Sequence, residues 1–125
     1  MHPTKFSTGT LVGSEREPRH HDIIPPVRDG WSQIAMMEWE LRGESWTDQH
    51  PHDEYNYLLA GRLFVEAGGV AVELGLGDAV RVPAGAVGRY WAPQYARMLA
   101  IYGPNPDGHA SESLGLERLA GGAAD

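Results

Sequence analysis

The sequence predicts an all-β domain folded as a small barrel or jelly roll, and three observations carry that expectation. Between residues 31 and 104, runs of β-branched, aromatic or apolar residues recur at 33–42, 55–66, 70–74, 79–82, 87–91 and 96–102, each about the length of a strand. Turn residues separate them: Gly43, Gly61, Gly68-Gly69, Gly75, Gly77, Pro83-Ala84-Gly85, Pro93 and Gly103-Pro104. No part of this stretch holds a helical period over more than a few residues. Short strands joined by tight glycine turns close into a sandwich or barrel.

The elements follow in order. Residues 1–30 are polar and proline-bearing, with Arg19-His20-His21-Asp22 leading into Pro25-Pro26, and read as an extended arm with at most one short strand. Residues 31–104 form the barrel. In it Val70-Ala71-Val72-Glu73-Leu74 and Val80-Arg81-Val82 alternate in and out. Residues 105–125 form a tail, with a short helix expected from Ser111 to Leu119 and a frayed end from Ala120.

Composition narrows the function. The chain has 125 residues, enough for one core. No apolar run approaches the roughly 18 residues of a membrane span, and Met1–Phe6 lack the apolar core of a secretory signal. There is no cysteine, hence no disulfide and no thiolate ligand or nucleophile, which is compatible with a cytoplasmic location. A formal net charge of −7 argues against a nucleic-acid partner, because phosphate binding needs clustered Lys and Arg.

Chemistry concentrates in His50-Pro51-His52-Asp53-Glu54-Tyr55-Asn56. In an extended segment, residues two apart share a face, so His50, His52 and Glu54 can converge on one cavity. Two imidazoles and a carboxylate suit one divalent transition metal such as iron, zinc, manganese or nickel. Buried without a partner these groups would be costly, so they are expected to bind something. Asn56 shares the inward phase of Glu54, while Tyr55 and Tyr57 point the other way, toward the second sheet or a partner subunit. Asp48 and Asp53 read as solvated loop carboxylates, and Trp31, Trp39, Trp46 and Trp91 as core or interface aromatics. His20, His21 and His109 read as exposed.

These residues resemble the cupin superfamily, a double-stranded β-helix barrel. Its first motif runs roughly G-x5-H-x-H-x3–4-E-x6-G and its second G-x5-P-x-G-x2-H-x3-N. Here Glu54, six residues and Gly61 match the end of the first, and Gly77-Asp78-Ala79-Val80-Arg81-Val82-Pro83-Ala84-Gly85 the start of the second. The resemblance covers about residues 31–104. Counting back from Glu54 puts Asp48 and His50 on the family's two histidine positions, and counting forward from Gly43 puts His50 and His52 there. The second-motif histidine falls at Gly88 and its asparagine at Ala92, with Arg89 and Tyr90 beside the gap.

Two functions follow. In the first, a metal-dependent enzyme of cupin type acts on a polar or carboxylate-bearing small molecule. His50, His52 and Glu54 hold the metal, Arg89 and Asn56 hold the substrate, and Glu54 or Tyr90 moves the proton. The resemblance implies an oxygenase, isomerase, lyase or cyclase without separating them. In the second, a metal-free cupin binds a small ligand or performs acid–base chemistry with Glu54 and a histidine. The bland alternatives are Glu54 paired with Arg62 or Arg89, Arg89 in a structural salt bridge, and Tyr90 as barrel wall. The arm, too poor in apolar residues to pack alone, predicts a homodimer in which it protects a neighbouring sheet edge. Gly77, Pro83 and Gly85 are expected to serve the turns rather than the chemistry.

Overall fold

The computed structural model describes residues 1–120; the end of the expected frayed tail lies outside the described residues. Ten strands make two antiparallel five-stranded sheets. In chain order they are β1 (His20–Ile24), β2 (Ala35–Leu41), β3 (Glu44–Gln49), β4 (Glu54–Gly61), β5 (Leu63–Ala67), β6 (Val70–Leu74), β7 (Ala79–Val82), β8 (Val87–Ala92), β9 (Ala96–Tyr102) and β10 (Glu112–Arg118). One sheet runs β1-β2-β9-β4-β7 and the other β10-β3-β8-β5-β6. Consecutive strands repeatedly change sheet, which is the jelly-roll arrangement the turn spacing implies.

Alternation builds the core. On β4, Glu54, Asn56 and Leu58 are buried while Tyr55, Tyr57 and Leu59 are exposed. On β8, Gly88, Tyr90 and Ala92 face inward. On β9, Ala96, Met98 and Ala100 do so, and the small alanines make room for Trp39 and Trp46 from β2 and β3. The packed interior of Trp39, Leu41, Leu58, Leu63, Val65, Tyr90 and Met98 fills one end of the barrel and leaves the other open.

Three expectations change. The run 55–66 is two strands in different sheets, because the chain turns a corner at Gly61. Gly61 has φ +78°, and a Cβ there would lie 2.0 Å from the Tyr95 carbonyl oxygen, so only glycine makes this corner. The polar segment Glu44–Gln49, not anticipated as a strand, pairs β8 along its whole length. The helix expected from Ser111 to Leu119 is strand β10. Its register puts Leu116 opposite Trp46 and Glu112 opposite Gln49. Pairing to the free edge of β3 and packing of Leu116 on the core outweigh the local helical bias of Glu, Leu and Arg.

The arm also pairs within its own chain. His20–Ile24 runs antiparallel to β2, Arg19 Nε donates to Glu40 at 2.8 Å, and the Thr8 hydroxyl reaches Glu38 at 2.8 Å. The arm thus covers an edge of its own sheet.

Candidate functional site

The open end of the barrel is a cavity of about 460 Å³. Its floor comes from β2, β3, β4 and β9, and its rim from the arm and the segment leading into β10. Asp48, His50, His52 and Glu54 all line it.

The histidines stand on neither strand. Gln49 ends β3 in one sheet and Glu54 begins β4 in the other, so residues 50–53 form the crossing loop. The expected strand alternation is therefore not what aims them. The loop is held by the second motif's turn: Gly85 N donates to the His50 carbonyl at 2.8 Å, and Ala84 N to Asp53 Oδ1 at 2.8 Å. Gly103 N adds a bond to the Asp53 carbonyl at 3.2 Å. Gly85 takes φ +83°, so this turn and the glycine within it support the site from behind. Asp53 is thus a partly exposed carboxylate that also holds this turn.

His50 sits between two acids. Its Nε2 lies 2.9 Å from Asp48 Oδ2 and 3.3 Å from Glu54 Oε1, and its Nδ1 lies 2.6 Å from Ser111 Oγ. Burial by itself disfavours the imidazolium, but the Asp48 and Glu54 carboxylates overcome it and push the pKa of His50 up to about 10. Both ring nitrogens then carry protons, Nε2–H shared by the carboxylates and Nδ1–H given to Ser111. Glu54 is the matching anion. Burial opposes its charge, yet bonds from His50, Tyr90 and Asn56 hold its carboxyl below the usual range.

His52 is set the opposite way. Its ring lies 4.8 Å from that of His50, 16° from parallel, and 5.1 Å from Tyr102. Its Nδ1 is 3.1 Å from the Asp53 carbonyl oxygen, which accepts only, so Nδ1 carries the proton and Nε2 keeps its lone pair. Burial lowers its pKa; the Asp53 carbonyl works against that and the charge of His50 adds to it.

Tyr90 and Asn56 stand behind Glu54, both fully buried. Tyr90 OH donates to Glu54 Oε2 at 2.9 Å and Asn56 Nδ2 to the same oxygen at 3.0 Å. Asn56 Oδ1 accepts from Trp39 Nε1 at 2.7 Å, which fixes the amide. Neither Tyr90, expected as a proton donor, nor Asn56, expected to contact substrate, lines the cavity; both bond Glu54 from behind. Burial, and the Glu54 and Asp48 charges, push the Tyr90 phenol well above its ordinary pKa. Arg89 is not brought to the site. β8 alternation turns it outward, with its guanidinium 4.6 Å above the Trp91 ring. Nor does Arg62 reach Glu54; it pairs with Glu73 at 2.8 Å.

Asp48, read as a solvated loop carboxylate though one register puts it on a family histidine position, faces the cavity. It is buried on the inner face of β3, opposite Gly88 on β8, and its Oδ2 accepts from both Trp46 Nε1, at 2.8 Å, and His50. The count back from Glu54 and the alternation Trp46-x-Asp48 leading to His50 were both available signals. Ser111 carried none, since only the course of the chain into β10 brings it to His50.

A shared metal at His50, His52 and Glu54 does not fit the donor set. His50 spends both nitrogens on Asp48, Glu54 and Ser111, His52 Nδ1 is spent on a carbonyl, and Glu54 accepts from three groups. Among the described residues no three His, Asp or Glu side chains are arranged to hold an ion. Gly88, at the family's fourth ligand position, faces Tyr90; a Cβ there would lie 3.2 Å from the phenol oxygen.

Residues 35–102, more than half of the chain, match the cupin domain family. The chain is a cupin. Solved structures agree on the fold. EutQ of Clostridium difficile superposes with a TM-score of 0.63 at 18% identity, over 83% of this chain and 77% of that one. The DMSP lyase DddQ of Ruegeria pomeroyi gives 0.63 at 19% identity, over 86% of this cupin and 59% of the lyase. KdgF of a Halomonas species gives 0.60 at 20% identity, over 83% and 91%. No curated protein matches the sequence.

Proposed function

We propose that this cupin catalyses proton transfer on a small polar molecule bound in the barrel mouth, with His52 as base and His50 as acid. The observation that carries the reading is the pair of adjacent imidazoles held in opposite states, one clasped by two carboxylates and one by a carbonyl. Neighbouring groups whose surroundings separate their pKa values mark acid and base roles. In this reading His52 Nε2 accepts a proton from the bound molecule. His50 Nδ1–H delivers one to an oxygen of it, through the Ser111 hydroxyl or in its place. Asp48 and Glu54 hold His50 charged and oriented, and Tyr90 and Asn56 hold Glu54. No electron transfer is required, so the reaction belongs to the isomerase or lyase type. A cytoplasmic setting accords with the cysteine-free chain.

The test is deuterium wash-in from D2O at carbon next to a carbonyl, read by NMR with dihydroxyacetone and aminoacetone as probes. The expected result is exchange that falls by a factor of about 10² or more in His52→Gln. Exchange no faster than with His52→Gln, for either probe, overturns the reading. A metal-dependent alternative would require His50, His52 and Glu54 to give up their protein partners, and elemental analysis of untagged protein separates the two.

Two copies are proposed to associate. Tyr55, Tyr57 and Leu59 form an exposed apolar row on β4, which supports this assembly. Sedimentation at micromolar concentration is expected to show a dimer, and monomer alone rules it out.

A further inference from the structure

We infer that the cavity selects a ligand carrying a small organic cation, an ammonium or related onium head, rather than an anion. This deepens the proton-transfer reading by naming the ligand class of the same site, and it rests on that reading only for the location. The cavity combines two features that both favour positive charge.

The first is aromatic surface. Trp31, Trp39, Trp46 and Tyr102 line it, supplied by four separate parts of the chain. Trp39 and Trp46 spend their indole N–H groups inside the wall, on Asn56 and Asp48. What they offer the cavity is ring surface, not a donor for an anion. Trp31 and Tyr102 pack edge to face, at 87° with centroids 6.3 Å apart, so aromatic surface turns a corner of the cavity wall. Ring surface open to the cavity attracts a cation through the ring quadrupole and repels an anion.

The second is the charge balance. Asp48 and Glu54 place two carboxylates at the floor, with His50 between them. The rim carries one acid, Glu17, and one base, Arg28. Among the described residues no lysine lines the cavity, and Arg89, expected to anchor a carboxylate, lies on the outer face with Trp91. A carboxylate ligand would therefore meet the two floor carboxylates and aromatic surface in a site of low dielectric. An onium head would be drawn to both. A volume of about 460 Å³ accommodates such a head with a short chain reaching the two histidines.

The experiment titrates the untagged full chain with tetramethylammonium chloride and, separately, potassium acetate, by calorimetry and by indole fluorescence. Tetramethylammonium is expected to bind saturably and at least tenfold more tightly than acetate. Trp31→Leu and Tyr102→Leu are each expected to weaken it by about tenfold, while Trp91→Phe, outside the cavity, leaves it unchanged. Circular dichroism checks that each variant is folded; if one is not, the ranking of the two probes on the parent chain decides. Acetate binding as tightly as tetramethylammonium overturns the inference, as does no saturation by tetramethylammonium, or unchanged affinity in both folded cavity variants. If tetramethylammonium binds as expected but His52→Gln leaves deuterium wash-in unaltered, the ligand class stands and the proton-transfer role falls.

Discussion

The imidazoles of His50 and His52 lie 4.8 Å apart and nearly parallel, yet one is held charged and the other neutral. The difference comes from one atom of each neighbourhood. His50 Nε2 faces carboxylate oxygens, which stabilise a proton there, whereas His52 Nδ1 faces a carbonyl that fixes one tautomer and leaves Nε2 bare.

Histidine-resolved NMR titration is therefore expected to separate the two rings. His50 should keep both protons until about pH 10, and His52 should stay neutral to a pH below the ordinary 6.5. Because the folded pKa of His50 exceeds its ordinary 6.5, its contribution to stability is complete below that pH and fades as pH climbs to about 10. Glu54 acts at the other end: its contribution is present above the ordinary 4.5 and is lost as pH falls through its lowered folded value. A histidine pair titrating together near 6.5 would contradict the site geometry.

Tyr90→Phe removes a buried hydrogen bond to Glu54 Oε2 and leaves that oxygen with Asn56 alone on its side. The expected cost is about 1–3 kcal/mol in denaturant unfolding, with the acid limb of stability moved to higher pH as Glu54 becomes easier to protonate. An unaltered acid limb would remove Tyr90 from the positioning of Glu54.

Two glycines with positive φ should respond differently to alanine. At Gly77, φ is +84° and the nearest atom to an added Cβ is Tyr57 Oη at 3.7 Å, so the cost is backbone strain of about 1–2 kcal/mol. At Gly61 the same strain is joined by the collision with Tyr95 O, and the larger loss is expected there. Denaturant midpoints of the two variants, compared on one parent, decide it.

Metal chelation is expected to leave Tm unchanged, since His50 and His52 already spend donor atoms on protein partners. A chelator-induced drop in Tm, with stoichiometric iron, zinc, manganese or nickel in untagged protein, would restore His50, His52 and Glu54 as ligands. In the same assay Gly88→His is expected to lose stability, because the space at its Cβ is taken by Tyr90 and Val82.

The all-β class, most strand positions and the turns at Gly77 and Pro83–Gly85 were legible in the sequence, because two-residue alternation and glycine placement are local properties of the chain. His50, His52 and Glu54 do line one cavity, but a crossing loop rather than strand alternation brings the histidines there. What each does there was not legible. A protonation state is set by atoms within a few ångströms. Some come from distant residues, Ser111 from the approach to β10 and Tyr90 from β8; others, Asp48 and the Asp53 carbonyl, are near in sequence but are aimed only by the folded loop. Arg89 and Tyr90 are neighbours in sequence, but strand phase sends one outward to Trp91 and the other inward to Glu54. The strand at 112–118 was hidden for the same reason, since its helical composition is overruled only by an unpaired edge of β3 that the fold places beside it.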